Sequence, residues 1–338
     1  MKMNRRDMIL RTGTATLGMS LMGISSMQAA IPVSESAKTK KVLVFSKSAG
    51  FEHDAFKFGK DGSPGFGQKL LAELGPKHGI DFTFSKDGSL FNAEYLAQFD
   101  AYFFYTTGDL TAATGDKNPG MTPEGKQAFL DAIKNGKGFI GSHCATDTFH
   151  LNEIASAHDE ENRYKNHGDK ADPYIRMIGG EFIHHGKQQP STMRIADTTF
   201  PGLPEGKTEF SFAEEWYSLK DFSKDLHVIL VQETKGMEGE PYQRPAYPAT
   251  WARHHGKGRV FYTSMGHRPD VWTNPIFQDL LFGGIAWAVK NVEAKIPANI
   301  MQVTPLCMEI PPQAPPKAPK APAVPAAPAA PQVPAIPK

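Results

Sequence analysis

The sequence predicts a doubly wound α/β protein with a β-rich second half, and three observations carry that expectation. Strand and helix patterns alternate from residue 40 onward. The run Gly138-Phe-Ile-Gly-Ser-His-Cys-Ala-Thr-Asp147 reads as strand, tight turn and the start of a helix. Beyond residue 190, segments of strand composition follow one another until a last helix near residue 275. In an open parallel sheet, ligands collect outside the carboxyl ends of the strands, so the turn after Gly141 presents His143 and Cys144 where chemistry is expected.

The elements follow in order. Lys40-Lys-Val-Leu-Val-Phe-Ser46 is a first strand whose unbroken apolar run suits burial on both faces. The loop leaving it, Ser48-Ala-Gly-Phe-Glu-His-Asp-Ala55, places His53 and Asp54 at the functional edge. Residues 64–76 form a helix with Phe66, Leu70, Leu71 and Leu74 at helical spacing. A second strand covers 81–84, a short helix 93–99, and a third strand 101–105, followed by the loop Thr106-Thr-Gly-Asp-Leu110. Thr122 is a helix cap with Pro123 at the first helical position, and Ala128, Phe129, Ala132 and Ile133 give that helix its apolar face. Residues 155–172 are densely charged without period and read as a solvated insertion. Tyr174-Ile-Arg-Met-Ile178 then leads to Glu181-Phe-Ile-His-His185, strands are expected at 192–195, 209–216, 228–233, 249–254 and 259–263, and a helix over 275–289 closes the domain.

Length and composition bound the rest. With 338 residues, 40% of them hydrophobic, the chain can bury a full-sized core. Its net charge of +1 hides two basic ends around an acidic middle, which lacks a basic stripe and so gives no reason to expect nucleic acid as a partner. Asn4-Arg-Arg-Asp-Met-Ile-Leu10 is a twin-arginine pattern, followed by a weakly apolar stretch and a cleavage region ending at Ala30. Arg11 interrupts that stretch, which falls short of the ~20 apolar residues a spanning helix needs. Export through the twin-arginine pathway to the periplasm or medium is therefore expected, with no transmembrane helix in the mature chain. Cys144 and Cys307 lack any spacing that argues for pairing and are expected to be free. From residue 311 the chain is almost entirely Pro, Ala and Lys, an extended tail that cannot bury a core. The expected division is a signal peptide over 1–30, a linker over 31–39, one domain over 40–292, an extension over 293–310 and a tail over 311–338.

The edge is rich in imidazole. His53, His143, the pair His184-His185, of which at most one serves the site, and His267 lie on or near it, with Glu214, Glu215 and Asp147 nearby in the pattern. Neutral imidazole with a carboxylate is a common ligand set for zinc and other divalent transition metals, zinc or manganese being the expected ions. No pair has the i, i+4 spacing of a helical metal motif, so such a site must be assembled from separate loops. Any one of these histidines, taken alone, is more often a packing residue. His143 and His267, each at a strand end before a turn, are the exceptions, while His158, His167, His227, His254 and His255 are read as structural or surface residues. Cys144 on the same turn would need a base and oxyanion donors to act as a nucleophile; a small buried residue beneath the turn is the favoured reading.

These residues resemble a known family. Gly50-Phe-Glu-His-Asp54, Thr107-Gly-Asp109, the run from Gly138 to Asp147, Glu215-Trp-Tyr217 and Gly258-Arg-Val-Phe-Tyr-Thr-Ser-Met-Gly-His267 are similar, in order, to the motifs of the ThuA-like, or trehalose-utilisation, family. The resemblance implies a flavodoxin-like, class I glutamine amidotransferase-like three-layer sandwich. In those amidotransferases the elbow reads Gly-x-Cys-x-Gly; Gly141-Ser-His143-Cys-Ala places His143 at the nucleophile position and Cys144 one residue late. His267 in Gly266-His-Arg-Pro-Asp270 falls where their catalytic histidine lies. Two imidazoles in that place suit a metal or an acid/base pair better than a thiol nucleophile. Here Glu214 replaces the family's Asp before Glu-Trp-Tyr.

The expectation is thus an exported protein acting on a sugar, 3-keto sugar or disaccharide, as a hydrolase, lyase or isomerase. Its expected catalytic residues are His143, His267, Glu215 and Asp147, its metal ligands His53, His143, His185 and His267, and its sugar-contacting residues Phe51, Asp109, Trp216 and Tyr217. Two other readings compete: a non-catalytic carbohydrate-binding protein, and an amidotransferase-type hydrolase using Cys144.

Overall fold

The computed structural model describes residues 39–150 and 160–313. The expected signal peptide, most of the linker, the start of the charged insertion and most of the Pro/Ala-rich tail lie outside the described residues.

Eleven strands are present among the described residues: β1 (Lys40–Phe45), β2 (Ile80–Ser85), β3 (Ala101–Phe104), β4 (Gly138–Ser142), β5 (Glu181–His185), β6 (Gln189–Ile195), β7 (Glu209–Glu214), β8 (Tyr217–Lys220), β9 (His227–Glu233), β10 (Tyr247–His255) and β11 (Gly258–Thr263). Nine of them form one sheet in the order β2-β1-β3-β4-β11-β10-β9-β6-β7, and β5 and β8 pair apart from it. The half from β2 to β11 is parallel, and the remainder antiparallel. This is the flavodoxin-like arrangement with a β-rich second half.

The helices follow from local chemistry. In α1 (Phe66–Leu74) the Gln68 carboxamide oxygen accepts from the Gly65 amide at 2.7 Å, closing the first turn. Asn92 caps α2 (Ala93–Ala97), and Thr122 caps α3 (Pro123–Lys134) through its hydroxyl oxygen, 3.0 Å from the Gly125 amide. Within the charged insertion lies α4 (Glu160–Arg163); α5 (Pro173–Ile178) follows, capped by Asp172 and ended by Gly179 at φ 90°. Last come α6 (Pro269–Trp272), α7 (Pro275–Ala288) and α8 (Ile300–Val303). Phe277, Leu280, Leu281, Ile285 and Trp287 of α7 are buried, as their spacing predicts. The inner parallel strands β1, β3 and β4 are largely buried on both faces, with Val42, Leu43, Val44 and Phe45 of β1 fully inaccessible. No helix among the described residues is long and apolar enough to cross a membrane.

Two local expectations are corrected. No helix begins at Ala145: residues His143–Thr146 form a single 3₁₀ turn that ends at Asp147. Tertiary partners take over the groups a helix would have used. The Asp147 carbonyl accepts from the Gly108 amide at 2.7 Å, the Phe149 amide donates to the Gly108 carbonyl, and Thr148 pairs with Gly108. The expected solvated insertion is also partly folded inward. Asp172 is buried against Lys126 Nζ at 2.7 Å, and the His167 side chain lies against Glu181 and Asp221.

Candidate metal centre

Because β1, β3, β4 and β11 are adjacent and parallel, the loops leaving them open on one edge. The loops are tied to each other by main-chain bonds. The amides of Ala49 and Gly50, after β1, donate to the Thr107 carbonyl after β3, and Thr107 Oγ1 donates to the Phe51 carbonyl at 2.8 Å. Gly108 in turn holds the Asp147 segment after β4. The functional edge is a laced set of loops, which fixes side chains drawn from distant parts of the chain.

His143 sits at φ 45°, in the left-handed region that side chains seldom occupy. Several partners hold it there: Tyr262 Oη donates to its carbonyl at 2.8 Å, and its Nδ1 lies 3.1 Å from the Ser264 carbonyl. A carbonyl only accepts, so Nδ1 carries a proton, and in the neutral ring Nε2 keeps its lone pair. That lone pair faces the centre of the edge. His267 Nδ1 is 3.2 Å from it, and Glu215 Oε2 is 3.5 Å from His143 Nε2 and 3.1 Å from His267 Nδ1. His53, buried at the end of its loop, completes a group in which one ligand atom each from His53, His143, Glu215 and His267 lies within 4.8 Å of the others.

The electrostatics suit a cation. Burial, then the neighbouring His143 and His267, hold His53 well below the ordinary imidazole range, so it stays neutral. Burial pushes Glu215 up, but the adjacent His143 and His267 rings outweigh it and hold the carboxyl well below its ordinary range. For His267, burial pulls down and Glu215 pushes up, with the net shift upward. His53 Nδ1 is buried without a hydrogen-bond partner among the described residues. Three imidazoles and one carboxylate, with a buried nitrogen left over, fit a divalent transition metal of the zinc or manganese kind.

Glu214 supports this group from behind. Fully buried, its carboxylate accepts from the amides of Glu215, Gly266, His267 and Arg268 at 2.9 to 3.2 Å. Burial raises its pKa despite those bonds. The extra methylene relative to Asp lets one side chain reach the whole loop that carries His267.

A family model described as ThuA, trehalose utilisation, matches residues 41–288. The chain belongs to the ThuA family. Among solved structures, it is similar to a putative ThuA-like protein from Bacteroides uniformis ATCC 8492, with a TM-score of 0.52 and 19% identity over 76% of this chain and 94% of that one. It is also similar to a putative ThuA-like protein from Parabacteroides merdae ATCC 43184, with a TM-score of 0.49 and 17% identity over 78% and 95% of the two chains. No curated protein matches the chain.

Within this ThuA-family site, the residues expected from sequence fall into three groups. His53, His143, His267 and Glu215 converge, and Glu215, expected as a catalytic residue alone, belongs to the group whose donor atoms could hold a metal. His185 stands outside: its Nδ1 is 3.0 Å from the Gly186 carbonyl and 3.5 Å from Glu215 Oε1, so it contacts the outer side of the carboxylate. Trp216 and Tyr217 are buried and offer no face to a sugar; Trp216 Nε1 donates to the Gln189 carbonyl, and the Tyr217 ring packs 4.1 Å from that of His143. Asp109 closes its own turn, accepting from the Thr111 amide and hydroxyl. Phe51 remains as an exposed aromatic beside the site, 68% accessible and edge-on to His53 at 5.0 Å between centroids.

Cys144 is buried, and burial followed by the charge of Asp147 pushes its thiol well up, the reverse of what a nucleophile needs. Sequence reasoning missed His150, whose two ring nitrogens lie 2.7 Å from Asp147 Oδ1 and 2.7 Å from Glu181 Oε1. Its position three residues after Asp147 was the available signal. A second group, His167, Glu181 and Asp221, also has metal-like spacing, but Lys220 Nζ lies 3.2 Å from His167 Nδ1 and 3.3 Å from Glu181 Oε2. The chain supplies its own cation there.

Proposed function

We propose that this protein is an exported enzyme of carbohydrate metabolism that acts on a 3-keto sugar or related disaccharide at a metal centre formed by His53, His143, Glu215 and His267. The observation that carries the proposal is the convergence of those four donors on one open sheet edge beside an exposed aromatic ring. Family membership supports the sugar, and the twin-arginine pattern at residues 4–10 supports export.

A divalent metal held there supplies a Lewis acid for a sugar carbonyl or hydroxyl. The chain's own residues do the rest. Phe51, on a backbone fixed by Thr107, gives a flat apolar wall on which a pyranose can lie. Glu214 fixes the loop of His267, and the Ser264 carbonyl fixes the His143 tautomer, so the donors need not reorganise when substrate arrives. Asp147, at the end of the His143 turn, is the carboxylate that takes a proton from a sugar hydroxyl and returns it to water. Burial of Cys144 speaks against the amidotransferase-type reading, and the carbohydrate-binding reading is the alternative that assays separate.

Zinc-loaded protein should cleave or isomerise a 3-keto-glucoside, and chelation should abolish that activity. Binding of the sugar that survives chelation, with no product under any condition, would replace the enzyme by a binding protein. Cell fractionation with and without Arg5→Lys and Arg6→Lys tests export: retention of the double variant in the cytoplasm is expected.

A further inference from the structure

The hydrogen-bonded chain beside the metal centre points to a further residue. His150 lies between two carboxylates, with Nε2 2.7 Å from Asp147 Oδ1 and Nδ1 2.7 Å from Glu181 Oε1. Carboxylate oxygens accept, so both ring nitrogens must donate, and only the imidazolium can do so. Burial pulls His150 down, but the bonds and charges of Asp147 and Glu181 outweigh it and push its pKa up to about 9. Glu181 is itself held by Lys220 Nζ at 3.3 Å and faces His167 Nδ1 at 3.7 Å; these with Asp147 are the charged groups around His150 among the described residues.

The far end of the chain belongs to the turn that carries His143. Asp147 ends the turn that begins with His143, its main chain is fixed by Gly108, and its side chain is 24% accessible while Glu181 is 5% accessible. After burial, the charge of Asp147 is the largest influence on the phenol of Tyr217, and that phenol oxygen is 3.3 Å from His53 Nε2. Of the two carboxylates that hold His150, only Asp147 is open to solvent.

We propose that His150 is a positioning residue: clamped by Glu181, it holds Asp147 with one oxygen occupied and the other turned toward a sugar hydroxyl at the metal centre. This rests on the sugar reading given above.

The test uses zinc-loaded full-length protein, a nitrophenyl 3-keto-glucoside whose cleavage releases a coloured phenol, and the variants Asp147→Asn, His150→Gln and both together. Asp147→Asn should lower kcat roughly 100-fold with KM and zinc content unchanged. His150→Gln should lower kcat roughly 10-fold and remove the fall in rate above about pH 9 that the wild type shows. The double variant should match Asp147→Asn alone, since His150 acts through Asp147. Equal losses from His150→Gln with and without Asp147 would overturn the assignment, as would a His150 variant that loses zinc. Nitrogen NMR of the unaltered protein needs neither activity nor a folded variant: a His150 ring with one unprotonated nitrogen at pH 7 also overturns it. Wild-type protein that leaves the probe untouched defeats the sugar reading instead, even if the ring proves doubly protonated.

Discussion

His267 Nδ1 and His143 Nε2 lie 3.2 Å apart, and the Nδ1 proton of His143 is committed to the Ser264 carbonyl. In the neutral ring His143 Nε2 is a lone pair, and the contact is then stable only if His267 supplies a proton or a cation stands between the two rings. Glu215 beside them at 3.1 Å from His267 favours either solution. Zinc or manganese should displace the proton, so metal binding releases protons and weakens as the pH falls. Isothermal titration in two buffers of different ionisation enthalpy measures that release. About one ion per chain is expected, with none retained by a His143→Ala, His267→Ala double variant; at 100 times its Kd the ion should stabilise the fold by about 2.7 kcal/mol.

Glu214→Gln should leave the fold intact while loosening the metal. The carboxylate receives four amides, and a carboxamide presents N–H groups to half of them. His267 would then lose its fixed loop. A 10- to 100-fold loss of zinc affinity is expected from competition with a chromogenic chelator.

His150 gives the fold a dependence on pH. Its pKa is raised from the ordinary 6.5 to about 9, so its stabilising effect is complete below about pH 6.5 and is lost as the pH rises through 9. The size is on the order of 3 kcal/mol, since each tenfold gain in proton affinity on folding contributes about 1.4 kcal/mol. Urea midpoints at pH 6.5 and pH 9.5 should separate in the wild type and converge in His150→Gln.

Phe51→Ala should separate binding from stability. The side chain is exposed, so its loss should move the urea midpoint by less than about 0.5 kcal/mol. Sugar affinity should drop about 10-fold, and Phe51→Trp should restore it; calorimetric titration reads both.

Thiol reagents should find neither cysteine in the native protein. Cys144 and Cys307 are buried, and burial raises both thiols. Labelling should begin only in denaturant. Rapid native labelling of Cys144 would revive it as a nucleophile.

The parallel half of the fold was legible because strands buried on both faces carry unbroken apolar runs, as in Val42 to Phe45, and because helices announce their caps, as at Thr122. The turn after β4 was legible as a turn but not in its exit, since Gly108, far away in sequence, decides that residues 145–147 do not continue as a helix. In the site, the imidazoles at strand ends were readable from position alone. His185 was not separable from the ligands, because nothing local says that its Nδ1 turns to its neighbour's carbonyl. Trp216 and Tyr217 looked like sugar platforms by type, yet the β7–β8 junction turns them inward. His150 lies just before a charged stretch and His167 within it, where burial depends on tertiary partners such as Glu181 and Lys220.

The lacing of the loops at Thr107 and Gly108 bears on when the centre can exist. His53 leaves the first strand and His267 the last, and the two meet only after β11 has docked beside β4. A nascent chain that has folded β1 to β4 holds two of the four donors. The finished edge is thus a checkpoint for the whole chain: on the metal reading proposed above, a protein that carries the ion has completed its sheet. Were the proposed export through the twin-arginine pathway, which moves proteins already folded, to hold, the proposed ion would serve as a certificate of readiness as much as a reagent.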